Sequence, residues 1–137
     1  MSEYEKPAPR INPDNARFWE SAHEGTLRLP RCGDCRAWHW PPGPVCPDCF
    51  SGRIDWEEAQ GHGTVSTWTV VHKDWFPAFR AEIPYAVAQI ELAEGVRVTA
   101  SIVECPAETL RVGLPVEVVF DRVTESLTLP RFRPRRP

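Results

Sequence analysis

The stretch CGDCRAWHWPPGPVCPDC, from Cys32 to Cys49, decides how the first part of this chain folds. It contains two Cys-x2-Cys pairs separated by ten residues, a spacing that supplies four thiolates for one tetrahedral metal ion. A metal ion held by four protein ligands has no open position for water or substrate, so it stabilises structure and does not catalyse. The sequence therefore predicts a closed structural Zn²⁺ site whose ligands are Cys32, Cys35, Cys46 and Cys49.

Other interpretations of the four cysteines stay open from the residues alone. Four reduced thiols in a loop would bind nothing, and a rubredoxin-type iron site would make the chain an electron carrier. Against iron, Arg36 and Phe50 follow the two pairs, at positions where rubredoxins usually have glycine. His39 lies between the pairs. Because four thiolates are already available, we expect His39 to be a surface or packing residue.

The residues before the cysteines predict a helix. Asn12, Pro13 and Gly25 are typical of an N-cap, a first-turn proline and a glycine stop, which together predict a helix over residues 13–23. One face of this helix is apolar and is formed by Phe18, Trp19 and Ala22.

Two short strands are predicted to frame the cysteine pairs. Residues 26–30 form a strand that leads into the first pair, and residues 54–56 form a strand that closes the ribbon. Prolines exclude a helix between them, because the ring removes a backbone donor and clashes with the preceding turn. They are Pro30, Pro41, Pro42, Pro44 and Pro47.

Alternation of apolar and polar residues predicts five strands in the second part of the chain. Glu94-Gly95 is a hairpin signal between the second and the third of them. Five short strands without a convincing helix favour a closed five-stranded OB-fold barrel, because closure removes the exposed edges of an open sheet. The strands are predicted at residues 64–72, 85–92, 96–105, 116–121 and 126–129.

The predicted fold is therefore mainly β, an OB-fold barrel preceded by an N-terminal helix and a rubredoxin-like zinc ribbon. Four arginines alternate with prolines near the end of the chain, and we expect them to form a solvated terminus. They are Arg131, Arg133, Arg135 and Arg136. The predicted division is an N-terminal helical segment at 1–25, the zinc ribbon at 26–60, the barrel at 61–132 and an Arg/Pro tail at 133–137.

The segment between the first two barrel strands, residues 73–84, is too aromatic for an ordinary solvated loop. It contains Trp75, Phe76 and Phe79, followed by Arg80. Aromatic side chains contribute large contact areas both in cores and in interfaces. Two interpretations follow: these side chains fold back over the end of the barrel, or they contact a partner protein or an acyl chain.

Composition and charge disfavour several classes of protein. The chain has 137 residues and 42% hydrophobic content, and no segment has the length of a membrane span or the pattern of a signal peptide, so we expect a cytoplasmic protein. Its net charge is −3, and residues 61–137 carry nine Lys/Arg against nine Asp/Glu, which does not supply the basic groove of a nucleic-acid-binding barrel. Because nucleophile-elbow, zinc-protease and phosphate-loop motifs are missing, we expect no catalytic residues and no enzyme activity in the chain by itself.

Taken in order, the motifs of the chain resemble a known family. The resemblance covers residues 12–132, nearly the whole sequence, and its most specific part is the cysteine pattern. The other motifs are Phe18-Trp19, Pro41-Pro42, Gly61-x-Gly63, Pro84-Tyr85, Glu94-Gly95-Val96-Arg97, Val112-Gly113-Leu114-Pro115-Val116 and Leu129-Pro130-x-Phe132. They are similar to the zinc-ribbon plus OB-fold family of acyl-CoA-associated proteins, formerly a domain of unknown function.

This resemblance implies an accessory role. Members of the family associate with thiolase-like enzymes, including thiolase-fold aldolases that shorten steroid side chains, and the expected function is a non-catalytic subunit that supports such an enzyme and helps to shape its acyl-CoA site. The alternatives are a single-stranded nucleic-acid-binding OB module and the iron electron carrier. The residues expected to contact the partner or the acyl-CoA are Phe18, Trp19, Trp75, Phe76, Phe79 and Arg80.

Overall fold

One α-helix and seven strands form the regular structure of residues 4–136, the part of the chain that the computed structural model describes. Residues 1–3 of the predicted N-terminal segment and Pro137 of the predicted tail lie outside the described residues. Two short 3-10 turns occupy Pro77–Phe79 and Ala107–Thr109. In chain order the elements are α1 (Ala16–His23), β1 (Arg28–Cys32), β2 (Ile54–Glu58), β3 (His62–Val71), β4 (Tyr85–Leu92), β5 (Arg97–Ile102), β6 (Pro115–Arg122) and β7 (Thr128–Pro134).

The helix begins at Ala16 and not at the predicted residue 13. The reason is local: the Asn12 side-chain oxygen accepts the backbone N–H groups of Asp14 at 2.9 Å and Asn15 at 3.0 Å, which closes a turn before the helix. The predicted glycine stop is confirmed, because Gly25 has φ +81°. Beyond it the backbone N–H of Thr26 donates to the Ser21 carbonyl oxygen at 2.9 Å and completes the C-cap.

The ribbon is built on the antiparallel pair β1 and β2, whose register runs from Arg28 opposite Glu58 to Cys32 opposite Ile54. The strand predicted at 26–30 lies at Arg28–Cys32, and the closing strand predicted at 54–56 continues to Glu58. Because β1 ends at Cys32, the strand pair itself places the first metal ligand.

Strands β3 to β7 form a closed barrel in the order β3-β4-β5-β7-β6, with β6 returning to β3. The neighbouring strands are antiparallel, except that β5 and β7 are parallel and pair only at Ile102 and Phe132. β3 can reach both β4 and β6 because it is ten residues long and bends at an irregularity between Val65 and Thr67. At Gly63 a Cβ atom would overlap the carbonyl oxygen of Glu91, so only glycine allows this close approach. The predicted mainly β fold with a five-stranded barrel is confirmed.

The core is one hydrophobic cluster that extends from the barrel into the helix and the ribbon. Alternate residues of β4 point inward, as the period of two predicted. Phe18 of α1, Leu27 just before β1 and Leu29 of β1 are buried in the same cluster as the barrel residues. Within residues 4–136 no helix is long and apolar enough to cross a membrane.

The end of the chain differs from the predicted solvated terminus. β7 runs to Pro134, beyond the predicted 126–129, and carries Arg131 and Arg133 as strand residues. The Arg131 guanidinium contacts the Asp121 carboxylate at 2.8 Å. Arg133 contacts Glu117 at 3.0 Å and Glu104 at 3.5 Å, and the hydrogen bond to Glu117 is the largest of the interactions that raise its pKa.

Candidate metal centre and exposed aromatic loop

The four predicted cysteine ligands converge. Their Sγ atoms all lie within 4.8 Å of one another, with Cys32 and Cys49 at 3.5 Å and Cys35 and Cys46 at 3.7 Å. Zinc–sulfur bonds of about 2.3 Å in a tetrahedron put the sulfur atoms about 3.8 Å apart, so the arrangement fits one tetrahedral ion. The Cys32 and Cys46 side chains are buried and those of Cys35 and Cys49 are exposed, which places the centre at the surface of the ribbon.

Backbone N–H groups point at the buried sulfur atoms. Cys32 Sγ accepts from the N–H groups of Asp34 and Cys35, each at 3.4 Å, and Cys46 Sγ accepts from Asp48 at 3.4 Å. The bond from Cys35 is the main reason why the pKa of Cys32 falls to about 6. The thiolate is the form of cysteine that ligates metal, and a lowered pKa makes this form available near neutral pH.

The pKa values of two other thiols, Cys35 and Cys49, are raised. For Cys35 the backbone N–H of Ala37 lowers the pKa, but burial and the hydrogen bonds of the neighbouring thiols outweigh it and raise the pKa to about 12. The pKa of Cys49 is also raised, although the Ser51 backbone N–H opposes the shift. Four thiolates at these distances repel each other unless a cation lies among them. The donor set therefore fits a thiophilic metal ion of tetrahedral preference.

Both cysteine pairs form the same turn, although neither is followed by glycine. Arg36 and Phe50 adopt φ of 65° and 62°, and their N–H groups donate to the carbonyl oxygens of Cys32 at 3.1 Å and Cys46 at 2.9 Å. The Arg36 side chain then reaches the Glu57 carboxylate at 2.6 Å, whereas the Phe50 ring is 77% exposed. The two turns are thus equivalent in backbone and different in what their last side chain contacts.

His39 does not belong to the metal cluster. Its side chain is buried, and its Nε2 atom has no hydrogen-bond partner among the residues that the structure describes. The backbone N–H of His39 donates to the Pro30 carbonyl oxygen at 3.1 Å, which ties this part of the loop to β1. Of the two expectations for His39, the packing residue is the one observed.

The aromatic loop between β3 and β4 divides its rings between the outer wall of the barrel and solvent. The Phe79 ring is half-buried and stacks on Tyr85, on the outward side of β4, with ring centroids 5.6 Å apart. Trp75 and Phe76 are 69% and 50% exposed. Phe79 therefore packs on the outside of the barrel, and the other two rings present an apolar surface to solvent.

Charged groups form contacts within the loop, and one of them lies against the Trp75 ring. Arg80 Nε donates to the Asp74 carboxylate at 2.7 Å, and this hydrogen bond is the main reason why the pKa of Asp74 is lowered. The Lys73 ammonium lies 4.4 Å from the centre of the Trp75 ring, a cation–π contact. Arg80, which we expected to contact a partner protein, thus pairs with Asp74 inside the loop.

The two other residues expected to contact a partner lie elsewhere. Phe18 is buried, and its ring packs against Trp19 at 5.0 Å and Trp40 at 4.8 Å between centroids. These three rings line a cavity between the helix, the ribbon and the barrel, whereas Phe79 lines a different one. Sequence reasoning missed the role of Trp40, because only the tertiary packing of ribbon on helix brings it to Phe18.

Protein-family models match both parts of the chain. One family model, described as the rubredoxin-like zinc ribbon domain of ChsH2, matches residues 19–55. A second, the C-terminal OB-fold domain of ChsH2, matches residues 56–121.

Named relatives come from bacteria and archaea. The chain is 41% identical over 134 residues to a probable enoyl-CoA hydratase alpha subunit of Thermomonospora curvata, which covers 96% of this chain and 41% of that protein. It is 40% identical over 100 residues to a DUF35 domain-containing scaffold protein of Methanocaldococcus jannaschii, covering 69% and 67%. Over 112 residues it is 30% identical to the 3-oxo-4,17-pregnadiene-20-carboxyl-CoA hydratase alpha subunit of Mycobacterium tuberculosis, covering 82% and 35%. The chain thus spans less than half the length of the two hydratase subunits.

Solved structures show the same architecture. A chain described as Ltp2-ChsH2(DUF35) aldolase superposes with a TM-score of 0.86 at 41% identity, covering 93% of this chain and 98% of that one. A DUF35-family protein of unknown function from Sulfolobus solfataricus superposes with a TM-score of 0.63 at 15% identity, covering 90% and 86%, a likeness of fold alone.

Proposed function

Because the chain belongs to the ChsH2-type (DUF35) family, which joins a rubredoxin-like zinc ribbon to an OB-fold barrel, we propose that it is a non-catalytic subunit of an enzyme complex. Its partner is a thiolase-fold enzyme, of thiolase or steroid side-chain aldolase type, that acts on an acyl-CoA. The chain binds and supports this enzyme and helps to shape the acyl-CoA site. The observation that carries the proposal is the likeness to the chain of the Ltp2-ChsH2(DUF35) aldolase, which extends over nearly the full length of both chains.

The exposed side of the aromatic loop is the surface that suits such a partner. Trp75 and Phe76 are large and exposed, and each ring has a neighbour in the loop, so contacts made through them cost little additional ordering. Aromatic residues of this kind are enriched among the anchors of protein interfaces. In the proposed complex these two rings contact the enzyme, while Phe79 keeps the loop attached to the barrel.

The metal of the proposed complex is structural Zn²⁺, held by Cys32, Cys35, Cys46 and Cys49. When bound, the ion compensates the charge of four thiolates and leaves no coordination position for substrate. Sulfur donors in this geometry also suit iron, but the family match is to a zinc ribbon. Because the thiols must stay reduced until they bind metal, the proposed location is the cytoplasm.

The nucleic-acid alternative gains no support from the barrel surface. Arg131 and Arg133, both on β7, are ion-paired with carboxylates of the barrel. A groove that follows a phosphate backbone needs basic side chains that are not already neutralised. Oligonucleotide binding is therefore a result that the proposed function does not predict.

A tagged pull-down from the native cytoplasm tests the proposed function. We expect a thiolase-fold enzyme to co-elute with zinc-bound, colourless chain, and the activity of that enzyme on acyl-CoA to fall when the chain is removed. Recovery of nucleic acid would contradict the proposal. A red iron-bound preparation that co-elutes with a reductase would also contradict it.

The double substitution Trp75→Ala with Phe76→Ala tests the proposed contact surface. If the rings are anchors, the affinity for the enzyme falls about tenfold or more, equivalent to roughly 1–2 kcal/mol, with the melting temperature of the free chain unchanged. Val112→Ala is the matched control, because Val112 is 72% exposed but lies outside the loop. Isothermal titration with the purified enzyme measures both, and equal affinities for the two variants would place the interface elsewhere.

A further inference from the structure

The barrel has an opening between β5 and β7, and the helix covers only part of it. The two strands pair at Ile102 and Phe132 and separate from there. The helix is fixed on the β7 side, where His23 Nδ1 lies 2.8 Å from the Thr128 hydroxyl. A cavity of about 180 Å³ lies on the side of the opening next to β5.

Both walls of this cavity, which we call the junction cavity, are apolar. Phe18, Trp19 and Trp40 line the helix and ribbon side. Val98, Ala100 and Phe132 line the barrel side. Apart from the two indole N–H groups, Thr99 carries the one polar side-chain group among the described residues that line it.

The junction cavity is loosely packed, and most of its lining is apolar. Protein interiors seldom leave gaps much larger than a water molecule, and here aromatic rings surround a space that small side chains of β5 leave free. Among the described residues the lining offers water only the two indole N–H groups and the Thr99 hydroxyl, so most of the wall makes no hydrogen bond with it. An apolar cavity of about 150 Å³ is large enough to hold benzene, so the volume of about 180 Å³ corresponds to one six-membered ring or a short alkyl chain.

Another cavity of the chain has a different character. It has a volume of about 230 Å³ and is lined by charged and hydroxyl-bearing residues, including Lys6, Glu82 and Arg131. The Lys6 and Glu82 side chains form an ion pair there. Ionic groups in its wall disfavour a hydrocarbon, because burying them against an apolar group removes their water.

We propose that the junction cavity binds the apolar end of an acyl group, one ring or a short alkyl chain in size. This assignment rests on the proposed function, because it takes the acyl group to be that of the partner enzyme's acyl-CoA. Phe18 is fixed between Trp19 and Trp40, so the aromatic wall is preorganised and limits the size of the group that enters. The chain thereby selects the acyl group by size and contributes no reacting atoms.

Fluorine NMR of the zinc-bound chain labelled with 5-fluorotryptophan tests the cavity directly. The chain has six tryptophans, of which Trp19 and Trp40 line the cavity and Trp68 and Trp75 do not. We expect benzene and hexanoyl-CoA to shift the Trp19 and Trp40 resonances, and free CoA to leave them unchanged. Shifts of Trp75 alone, or no shifts with either apolar probe, would overturn the proposal. Shifts with benzene but not with hexanoyl-CoA would overturn the acyl assignment.

Two substitutions change the cavity in opposite directions. Ala100→Leu fills it from the barrel side and should abolish both shifts, whereas Ala107→Leu adds the same side chain at an exposed turn and should change neither. If Ala100→Leu does not fold, Trp19→Ala enlarges the cavity from its half-exposed side and should favour octanoyl-CoA over hexanoyl-CoA at Trp40. Unchanged preference in Trp19→Ala would count against the cavity as the site.

Binding of the partner enzyme by the same variants separates this inference from the proposed function. We expect Ala100→Leu to bind the enzyme as the original chain does while the complex loses its preference between acyl-CoA lengths. If the original chain binds the enzyme but its Trp19 and Trp40 resonances do not respond to hexanoyl-CoA, the cavity assignment fails and the subunit role stands. If Ala100→Leu no longer binds the enzyme, the cavity receives a side chain of the enzyme and the acyl assignment fails.

Discussion

The ribbon and the barrel are held together by different atoms. At the centre of the ribbon are four sulfur atoms within 4.8 Å of one another, with the side chains of Cys32 and Cys46 fully buried. At the centre of the barrel are aliphatic and aromatic side chains such as Ile90, Val116 and Phe132, none more than 1% exposed. Each part has a β-sheet, yet the ribbon sheet has only two strands, too few to enclose a core of its own.

The stability of the two parts is therefore expected to depend on different conditions. Barrel stability follows the apolar area removed from water, whereas with the proposed Zn²⁺ bound we expect ribbon stability to follow the concentration of metal and the ionisation of its thiols. They are not independent, because Phe18, Leu27 and Leu29 join the same hydrophobic cluster as the barrel residues. Losing the metal should therefore unfold the ribbon and loosen, but not unfold, the barrel.

The largest expected effect comes from Cys46→Ser. Removing one of four ligands from a centre whose binding free energy is of the order of 10 kcal/mol should release the metal and unfold the ribbon. We expect loss of zinc by elemental analysis and loss of amide protection at residues 28–58, with the barrel amides still protected. Cys105→Ser is the control, because Cys105 lies outside the cluster and contacts Thr109 Oγ1 at 3.1 Å.

The outcome also tests the predicted division of the chain into a ribbon at 26–60 and a barrel at 61–132. If hydrogen exchange shows barrel and ribbon opening together in Cys46→Ser, the shared cluster makes one cooperative unit and the division is wrong. Retention of zinc by the variant would show that a fourth ligand other than Cys46 completes the site.

The next largest effect is expected in the barrel, from Phe132→Ala. Phe132 is 1% exposed and stands where β5, β6 and β7 meet, so its truncation should lower the free energy of unfolding by about 3–5 kcal/mol. Val112→Ala, at an exposed position, should stay within about 0.5 kcal/mol of the original chain. Urea denaturation followed by barrel signals measures both.

The zinc content of Phe132→Ala shows whether the ribbon depends on the barrel. If the ribbon depends mainly on metal, Phe132→Ala should bind zinc as tightly as the original chain under conditions where the barrel is still folded. Zinc that is lost in parallel with barrel unfolding would mean that the barrel supports the ribbon more than the four thiolates do.

What could be predicted from the sequence are the features that local patterns encode. The spacing of four cysteines gave the composition of the metal cluster, because knuckle geometry is fixed within a few residues. Alternation gave the bounds of β4 at Tyr85–Leu92 without error, since each inward residue is next to an outward one.

What could not be predicted depends on contacts between distant residues. The predicted end of the last strand is Leu129, but β7 continues through two prolines to Pro134, because it has a nearly continuous partner only in β6 and strands of this kind tolerate proline. The division of the aromatic loop into half-buried Phe79 and exposed Trp75 depends on Tyr85, and no periodicity in the loop indicates it.

The smallest expected effect compares the two halves of the ribbon through Arg36→Gly and Phe50→Gly. Both residues adopt a left-handed backbone that costs a residue with a Cβ about 1 kcal/mol or more, and glycine removes that cost while adding about 0.5–1 kcal/mol of unfolded-state entropy. Phe50→Gly removes only an exposed ring. The free energy of unfolding of the ribbon should therefore rise by up to about 1 kcal/mol, and zinc should bind up to about fivefold more tightly in chelator competition. Arg36→Gly also loses the contact with Glu57, worth up to about 1 kcal/mol for a partly exposed pair, so its zinc affinity should stay near the original. If Phe50→Gly weakens zinc binding, the exposed ring protects the metal centre, and backbone strain is not the main difference between the two turns.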